Sequence, residues 1–460
     1  MPREDSSPAI TTNRESTAAS LLVGAGLAGC EAAWQAARLG AEVTLYEMRP
    51  TRTTPAHQTA DLAELVCSNS LGTTQKGKAS AMLKDELRRL GSLLLQCAES
   101  TAVPAGSALA VDRHAFRKAV TRAIASHPHI RIERREVTSL DAGAGVLVCA
   151  SGPLTSPALA EAIARLTGRK ALGFYDAMAP IVLGSSVDAA HTYRATRYGL
   201  AGSDYICCPL TKEQYDAFID ALLMAEGYPL PAFERLDKRF FEACLPIEVL
   251  AARGRETLAY GPMRAVGLRD PRTGQSPYAV AQLRQDDLAA TLYNLVGFQT
   301  NLRQSEQKRV FALIPGLEHA EWVRYGQMHR NTYLQSPAVL QATLQARAMP
   351  QILFAGQLAG TEGYLGSIAS GLLAGLNAAR LAAGMEPLTA PRTTMWGALM
   401  HYISHSTNSP FQPMKANLGL LPLPNPLGGD HHRQLDAIIT RSEVDLLAFL
   451  YDNQLPNAME

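Results

Sequence analysis

What the chain has little of already excludes several classes of protein. It carries seven cysteines, an odd number with no C-x-x-C pair. That argues against a disulfide framework, a thiolate metal site and a dithiol redox centre. Charge is sparse at 18%, and 43 Lys+Arg against 42 Asp+Glu leave a net charge of +1. Any nucleic-acid-binding face must therefore be local. No apolar run reaches the ~18 residues of a membrane span. Residues 1–19 are polar and mixed in charge, without the apolar centre of a signal peptide, and are expected to form a flexible tail. These absences point to the reducing cytoplasm and to no membrane partner. No repeat or low-complexity tract stands out, and nothing demands a stable protein partner, so a monomer or homodimer is expected. At 460 residues the chain exceeds what one hydrophobic core usually supports, so two domains are the expectation.

What is present starts at residues 20–50. A short apolar strand (Leu21, Leu22, Val23) runs into Gly24-Ala25-Gly26-Leu27-Ala28-Gly29, which opens an alanine-rich helix. Gly40 stops that helix, and a second strand, Val43–Tyr46, ends on Glu47. In this dinucleotide fingerprint the first glycine makes the tight turn, the second lets the backbone approach a pyrophosphate, and the third lets helix pack on strand. The helix N-terminus offers unpaired N–H groups to the phosphates. Glu47 lies roughly twenty residues past Gly26, where a carboxylate can hold ribose hydroxyls. The fingerprint alone does not choose between FAD and NAD.

Further along, helical periodicity covers residues 79–97, and a β-branched run at 146–150 ends in Ser151-Gly152-Pro153, as a further parallel strand would beside a cofactor. The texture changes near Tyr175 to alternating strand-like runs with frequent Pro and Gly. The chain then returns with residues 351–357, a strand leaving a glycine turn. Thr361-Glu362-Gly363-Tyr364-Leu365-Gly366-Ser367 follows and opens an apolar helix expected over 368–382. The reading is an α/β fold, a Rossmann-type FAD-binding domain split by an inserted α+β domain. Its parts are a tail at 1–19, the first part of the FAD domain at 20–174, the insertion at 175–320 and the return part at 321–460. A cofactor domain built from both ends of the chain favours FAD, and the absence of a second GxGxxG leaves no dedicated NAD(P)H domain. Gly24, Ala25, Gly26, Leu27, Ala28, Gly29, Glu47 and Arg49 are expected at the adenosine and pyrophosphate, and Gly356, Gln357, Gly363 and Ser367 at the flavin end.

The cysteines separate by context. Cys30, Cys97 and Cys149 sit in apolar surroundings and read as small buried hydrophobes. Cys207 and Cys208 are adjacent, so their side chains point to opposite faces of a strand. Cys67, flanked by Ser68, Asn69 and Ser70 in a loop, and Cys244, just before Pro246, remain as candidates. For each, the residues alone leave both a nucleophile and a partly buried thiol open.

Several strings carry a resemblance: Gly24 to Gly29 with Tyr46-Glu47-Met48-Arg49-Pro50, ELVCSNSL at 64–71, and Cys244-Leu245-Pro246-Ile247-Glu248. YAVAQLRQD at 278–286, LYNLVGFQT at 292–300, MHRNTY at 328–333 and Gly360 to Ser367 continue it in order. Over nearly the whole chain the sequence resembles the folate- and FAD-dependent tRNA (uracil-5-)-methyltransferases, the TrmFO family, GR2-like flavoproteins related to MnmG/GidA. It departs from the family pattern in its first ~19 residues, which fits a dispensable tail, and at Cys207, where an asparagine is expected.

The resemblance implies methylation at C5 of the T-loop uridine (position 54) of tRNA. The carbon comes from 5,10-methylenetetrahydrofolate through reduced FAD, and NAD(P)H serves as reductant. It implies Cys244 as the thiolate that adds at C6 and Cys67 as the C5-proton base or a partner at the flavin, since a thiolate nucleophile needs nearby cations or a helix end. Tyr364 is placed to stack a pterin, with His329 and Asn331 as further substrate-binding residues; no metal is implied. Nine Lys/Arg against five acids over residues 253–309 suggest that the insertion helps hold tRNA. The competing readings are MnmG-like modification of the wobble uridine, expected in a longer chain, an NAD(P)H-dependent flavin oxidoreductase acting on a small molecule, and a flavin-stabilised RNA-binding protein without turnover.

Overall fold

The computed structural model describes residues 20–54, 56–169, 172–197, 202–229, 245–409, 411–423 and 431–458, with the backbone alone at 172–177, 329–330 and 431–432. The tail at 1–19 and Cys244 lie outside the described residues. The strands are β1 Ser20–Val23, β2 Val43–Tyr46, β3 Ser70–Thr73, β4 Ala102–Val103, β5 Ala108–Val111, β6 Ile130–Glu133, β7 Val146–Cys149 and β8 Leu172–Ala177. They continue as β9 Ile181–Leu183, β10 Tyr193–Ala195, β11 Tyr205–Leu210, β12 Ala279–Gln285, β13 Leu292–Leu295, β14 Trp322–Arg324, β15 Met328–Tyr333 and β16 Ile352–Phe354.

Five strands form a parallel sheet in the order β16-β7-β1-β2-β6. Its strands come from both ends of the chain: Leu147 of β7 faces Leu21 on one side and Ile352 on the other. All four residues of β7 are buried, as a strand covered on both faces requires. The covering helices explain two features of the sequence. A Cβ on Gly371 or Gly375 of helix Gly363–Ala382 would lie 2.3 Å from the Ala28 carbonyl or 2.4 Å from that of Ala32. The glycines of one helix and the alanines of the other, Leu27–Arg38, therefore exist for one close crossing. The return helix is long and apolar enough to cross a membrane by composition, yet 78% of that window is buried inside the protein. It is a core helix.

Two expectations are corrected here. The return helix starts at Gly363 rather than Ile368, because packing on the first helix outweighs the low helix propensity of the glycine-rich stretch. The helical stretch at 79–97 is two helices, Ala79–Arg89 and Leu93–Ser100. They are separated at Gly91, whose φ of +73° no L side chain holds comfortably.

The second sheet is antiparallel, in the order β10-β11-β12-β13-β9-β14. Strict alternation gives it two unlike faces. Cys208, Ala281, Leu283, Tyr293, Leu295 and Val182 enter a core with Phe218, Phe298 and Phe311. Cys207, Gln282, Arg284 and Asn294 occupy the other side, so the adjacent cysteines do part to opposite faces. The β8–β15 ladder connects the two sheets in sequence, and β3-β5-β4 forms a small third sheet.

A buried carboxylate fastens the C-terminal helices to this core. Backbone N–H groups of Met395 and Trp396, opening helix Met395–His405, donate to the two oxygens of Glu86 at 2.7 Å each, and the Ser442 hydroxyl donates at 2.7 Å. Burial pushes the Glu86 carboxyl up to about 7 against those hydrogen bonds. The folded protein thus keeps a proton that the unfolded chain releases near 4.5, so this group's contribution to stability falls as pH rises from about 4.5 to 7. Glu86→Gln removes that contribution. Thermal midpoints at about pH 5 and 7.5 are expected to diverge less in the variant than in the parent.

Candidate active site

The C-terminal ends of β1, β2, β7 and β16 border a cleft with about 1020 Å³ of free space, its mouth included. The fingerprint glycines act as their spacing suggests. Gly24 has φ +97° and would place a Cβ 2.6 Å from the Ala150 carbonyl, while a Cβ on Gly29 would sit 1.7 Å from the Gly24 carbonyl. Nothing lies within 4 Å of a Cβ on Gly26, so its open side faces the cleft. Of the residues expected at the cofactor, Gly24, Ala25, Gly26, Leu27, Ala28, Glu47, Arg49, Gly356, Gln357 and Ser367 line the cleft, as does Tyr364. Gly29 and Gly363 do not; they shape the helix packing and the helix start. Asn331, on β15, is buried and outside the lining, and the side chain of His329 on the same strand lies outside the described residues.

At one end of the cleft, Glu47 does not stand open. It accepts from Ala25 N at 3.2 Å and from Arg49 N, Nε and Nη2 at 3.0, 2.8 and 3.1 Å. Burial raises its carboxyl, but the Arg49 hydrogen bonds and charge outweigh burial and hold it below the usual range. Arg49, 2% exposed, also donates to Glu64 at 3.0 Å. Glu64 entered the sequence reading only inside a longer string, since nothing in its spacing reveals the pairing. The far end is bordered by Gln357 and by Tyr364 and Ser367 in the first turns of the return helix. Two helix N-termini and an ionised carboxylate along one cleft suit an extended dinucleotide, and these residues fit FAD.

Tyr364 ties the cleft to the Cys67 loop. Its hydroxyl accepts from Cys67 N at 2.9 Å and donates to the Ser68 carbonyl at 2.8 Å. On the other side the loop is gripped by arginines. Asp112 caps helix Arg113–Ser126 through His114 N and Ala115 N, placing Arg113 at the first helical position. Arg113 Nη1 donates to Leu65 O and Nη2 to Cys67 O, both at 2.8 Å, and Nε reaches the two Asp286 oxygens at 3.0 and 2.9 Å. Arg324 Nη2 donates to Val66 O at 3.0 Å, and Arg284 Nε to Asn69 Oδ1 at 2.9 Å.

Three guanidiniums thus surround the loop with one buried carboxylate among them. Burial lowers Arg284 and Arg324 and raises Asp286, whereas at Arg113 burial is outweighed only by the Asp286 charge and hydrogen bond together with negative charge on Tyr364 and Cys67. Negative charge on Cys67 stabilises all three cations. Sequence reasoning missed this cluster. Arg284 was counted there in a basic surface stretch, but it is buried, a charged residue inside an otherwise apolar strand, and that was the available signal. Other members of the stretch are engaged as well: Arg255 with Asp220, Arg272 with Asp270, Arg303 with Glu226 and Arg309 with Glu306. The excess charge therefore does not form a bare surface stripe.

Cys67 is half-buried, whereas Cys30, Cys97, Cys149, Cys207 and Cys208 are buried. The segment just after Cys244 is anchored, with Ile247 N donating to Gln299 O at 2.7 Å and Glu248 accepting from Thr300 Oγ1 and Asn301 N at 2.9 and 2.8 Å.

Comparison with known proteins decides the family. A family model described as "Glucose inhibited division protein A" matches residues 20–386. A protein of Pelotomaculum thermopropionicum named methylenetetrahydrofolate–tRNA-(uracil-5-)-methyltransferase TrmFO is 57% identical over 401 residues, 87% of this chain and 91% of that protein. The chain belongs to the TrmFO family. A TrmFO of Enterococcus faecalis is 52% identical over 422 residues, covering 92% of this chain and 96% of the relative. The GidA structure of Aquifex aeolicus superposes with a TM-score of 0.68 at 17% identity, over 93% of this chain and 74% of that one, so this TrmFO-family chain has the GidA flavoprotein fold.

Arg49→Leu strands Glu47 and Glu64 in the interior. A loss of about 3–5 kcal/mol in stability is expected, read by denaturant titration, together with less flavin absorbance per polypeptide.

Proposed function

We propose that this protein methylates C5 of the T-loop uridine of tRNA, position 54, with 5,10-methylenetetrahydrofolate as carbon donor. The observation that carries the reading is identity of 52–57% to proteins named for this activity over most of the chain. The cysteine loop held between the cofactor cleft and a cationic cluster supplies the matching chemistry. The runner-up, modification of the wobble uridine, rests on the GidA family-model match and on fold likeness at 17% identity.

Gly26 and the N-terminus of helix Leu27–Arg38 hold the pyrophosphate, Glu47 with Arg49 the adenosine end, and Gln357 and Ser367 the flavin end. When bound, FAD reduced by NAD(P)H supplies the one-carbon unit taken from the folate and the electrons that convert it to methyl. Tyr364 offers a ring against which the folate pterin stacks while its hydroxyl fixes the Cys67 backbone. The Cys244 thiolate adds at uracil C6 and turns C5 into an enolate carbon. C5 then takes the one-carbon unit, and the Cys67 thiolate, favoured by Arg113, Arg284 and Arg324, removes the C5 proton. Loss of the Cys244 thiolate from C6 restores the ring. Reading the protein as a cytoplasmic enzyme agrees with its thiol chemistry.

The test is methyl incorporation into unmodified tRNA transcript by the purified holoprotein. Methylenetetrahydrofolate with NAD(P)H is compared with S-adenosylmethionine, and the modified base is mapped. Product only with folate, at the T-loop uridine, is expected. Product at the wobble position, or none with folate, rejects the proposal. In the same assay Cys67→Ala is expected to lower turnover by at least about 10²-fold while tRNA affinity stays within a few-fold.

A further inference from the structure

On the polar face of the antiparallel sheet, one row of residues crosses five strands. Tyr205 stands opposite Arg284, Arg284 opposite Asn294, Asn294 opposite Ile181, and Ile181 opposite Arg324. Both arginines of this row reach the cysteine loop, Arg284 at Asn69 and Arg324 at Val66. Adjacent strands lie about 4.8 Å apart, so Asn294 and Ile181 lie between the two arginines, on the sheet face whose side chains reach residues 66–69. Asn294 is 2% exposed, and its Nδ2 has no hydrogen-bond partner among the described residues. Its row neighbours do not relieve it, since a guanidinium only donates and Ile181 is apolar. A buried amide donor left unpaired is destabilising. Leucine would fill the same space without that cost.

We propose that Asn294 reads the edge of the target base. Its Nδ2–H donates to uracil O4, and its Oδ1 accepts from N3–H. The inference rests on the reading that the Cys67 loop is where the uridine reacts. O4 gains negative charge when a thiolate adds at C6, so a preorganised donor there, beside two guanidiniums, stabilises the adduct as well as selecting the base. In this orientation cytosine brings an amino donor to Nδ2–H, and only a half-turn of the amide would admit it. Asn294 is thus the specificity-determining contact, and the stability sacrificed at this position is recovered when uracil docks.

The experiment measures methylation of tRNA transcripts by wild type, Asn294→Leu and Asn294→Asp, with flavin content, NAD(P)H oxidation without RNA, tRNA affinity and thermal midpoint recorded for each. Asn294→Leu is expected to melt no lower than wild type, to keep flavin, NAD(P)H oxidation and tRNA affinity within a few-fold, and to lose about 10²–10³-fold in methylation. Asn294→Asp, which offers acceptors to O4, is expected to lose uridine methylation equally and to narrow the preference for a uridine over a cytidine transcript. Wild-type methylation by Asn294→Leu would overturn the inference and leave the amide serving only a structural water. A joint fall of melting temperature and flavin content in the variants would overturn it in favour of a packing role. Wild type run on the same transcripts separates these failures from a failure of the functional reading, in which wild type itself makes no T-loop product and the inference falls with it.

Discussion

The ion pair between Arg113 and Asp286 is the constraint on which the site depends. The two residues are 173 positions apart, both side chains are largely buried, and one guanidinium nitrogen reaches both carboxylate oxygens. One belongs to a helix packed on the parallel sheet and the other follows β12 of the antiparallel sheet, so the pair joins the two layers where they meet. The same guanidinium spends its remaining nitrogens on the carbonyls of Leu65 and Cys67. Joining the layers and shaping the cysteine loop are therefore one interaction. A buried pair of this kind gives little net stability over an apolar contact. What it provides is position, with cationic surroundings that a thiolate exploits.

The cofactor cleft meets that loop through Tyr364, whose hydroxyl bonds the backbone on both sides of the Cys67 carbonyl. Tyr364 is held in turn by the helix that begins at Gly363, and that helix by the glycine-on-alanine crossing with the fingerprint helix. A chain of close contacts thus runs from the fingerprint helix, through the return helix, to the backbone of the Cys67 loop. The cleft and the loop are two ends of one packed unit, which suits a reaction in which a one-carbon group must pass from a cofactor to a base without meeting water.

The parts legible in the sequence were those encoded locally. Strand, glycine turn, helix, strand and acid fall within thirty residues, and the structure has them as read, with β2 at Val43–Tyr46. The parting of Cys207 and Cys208 followed from strand alternation alone. The cationic cluster was not legible, because Arg113, Arg284, Asp286 and Arg324 converge only through folding. Arg284 reads in sequence as one more basic residue in a basic stretch, and only the sheet reveals that it points inward. Glu47 illustrates the intermediate case: its place by the cofactor cleft was foreseeable, but its engagement by Arg49 and, through Arg49, with Glu64 required the fold. The helix start at Gly363 was missed because local propensity opposed what tertiary packing imposed.

The central claim is that Cys67 sits in one site with the flavin and the reacting uridine. It is tested most directly by alkylation of the holoprotein with iodoacetamide, followed by peptide mass analysis, with and without unmodified tRNA transcript. The other described cysteines are buried, so Cys67 should be modified well before them, and the transcript should protect it by about tenfold or more, as a contact desolvated on binding does. Alkylation of Cys67 at the same rate with saturating transcript bound would place the uridine elsewhere and contradict the account.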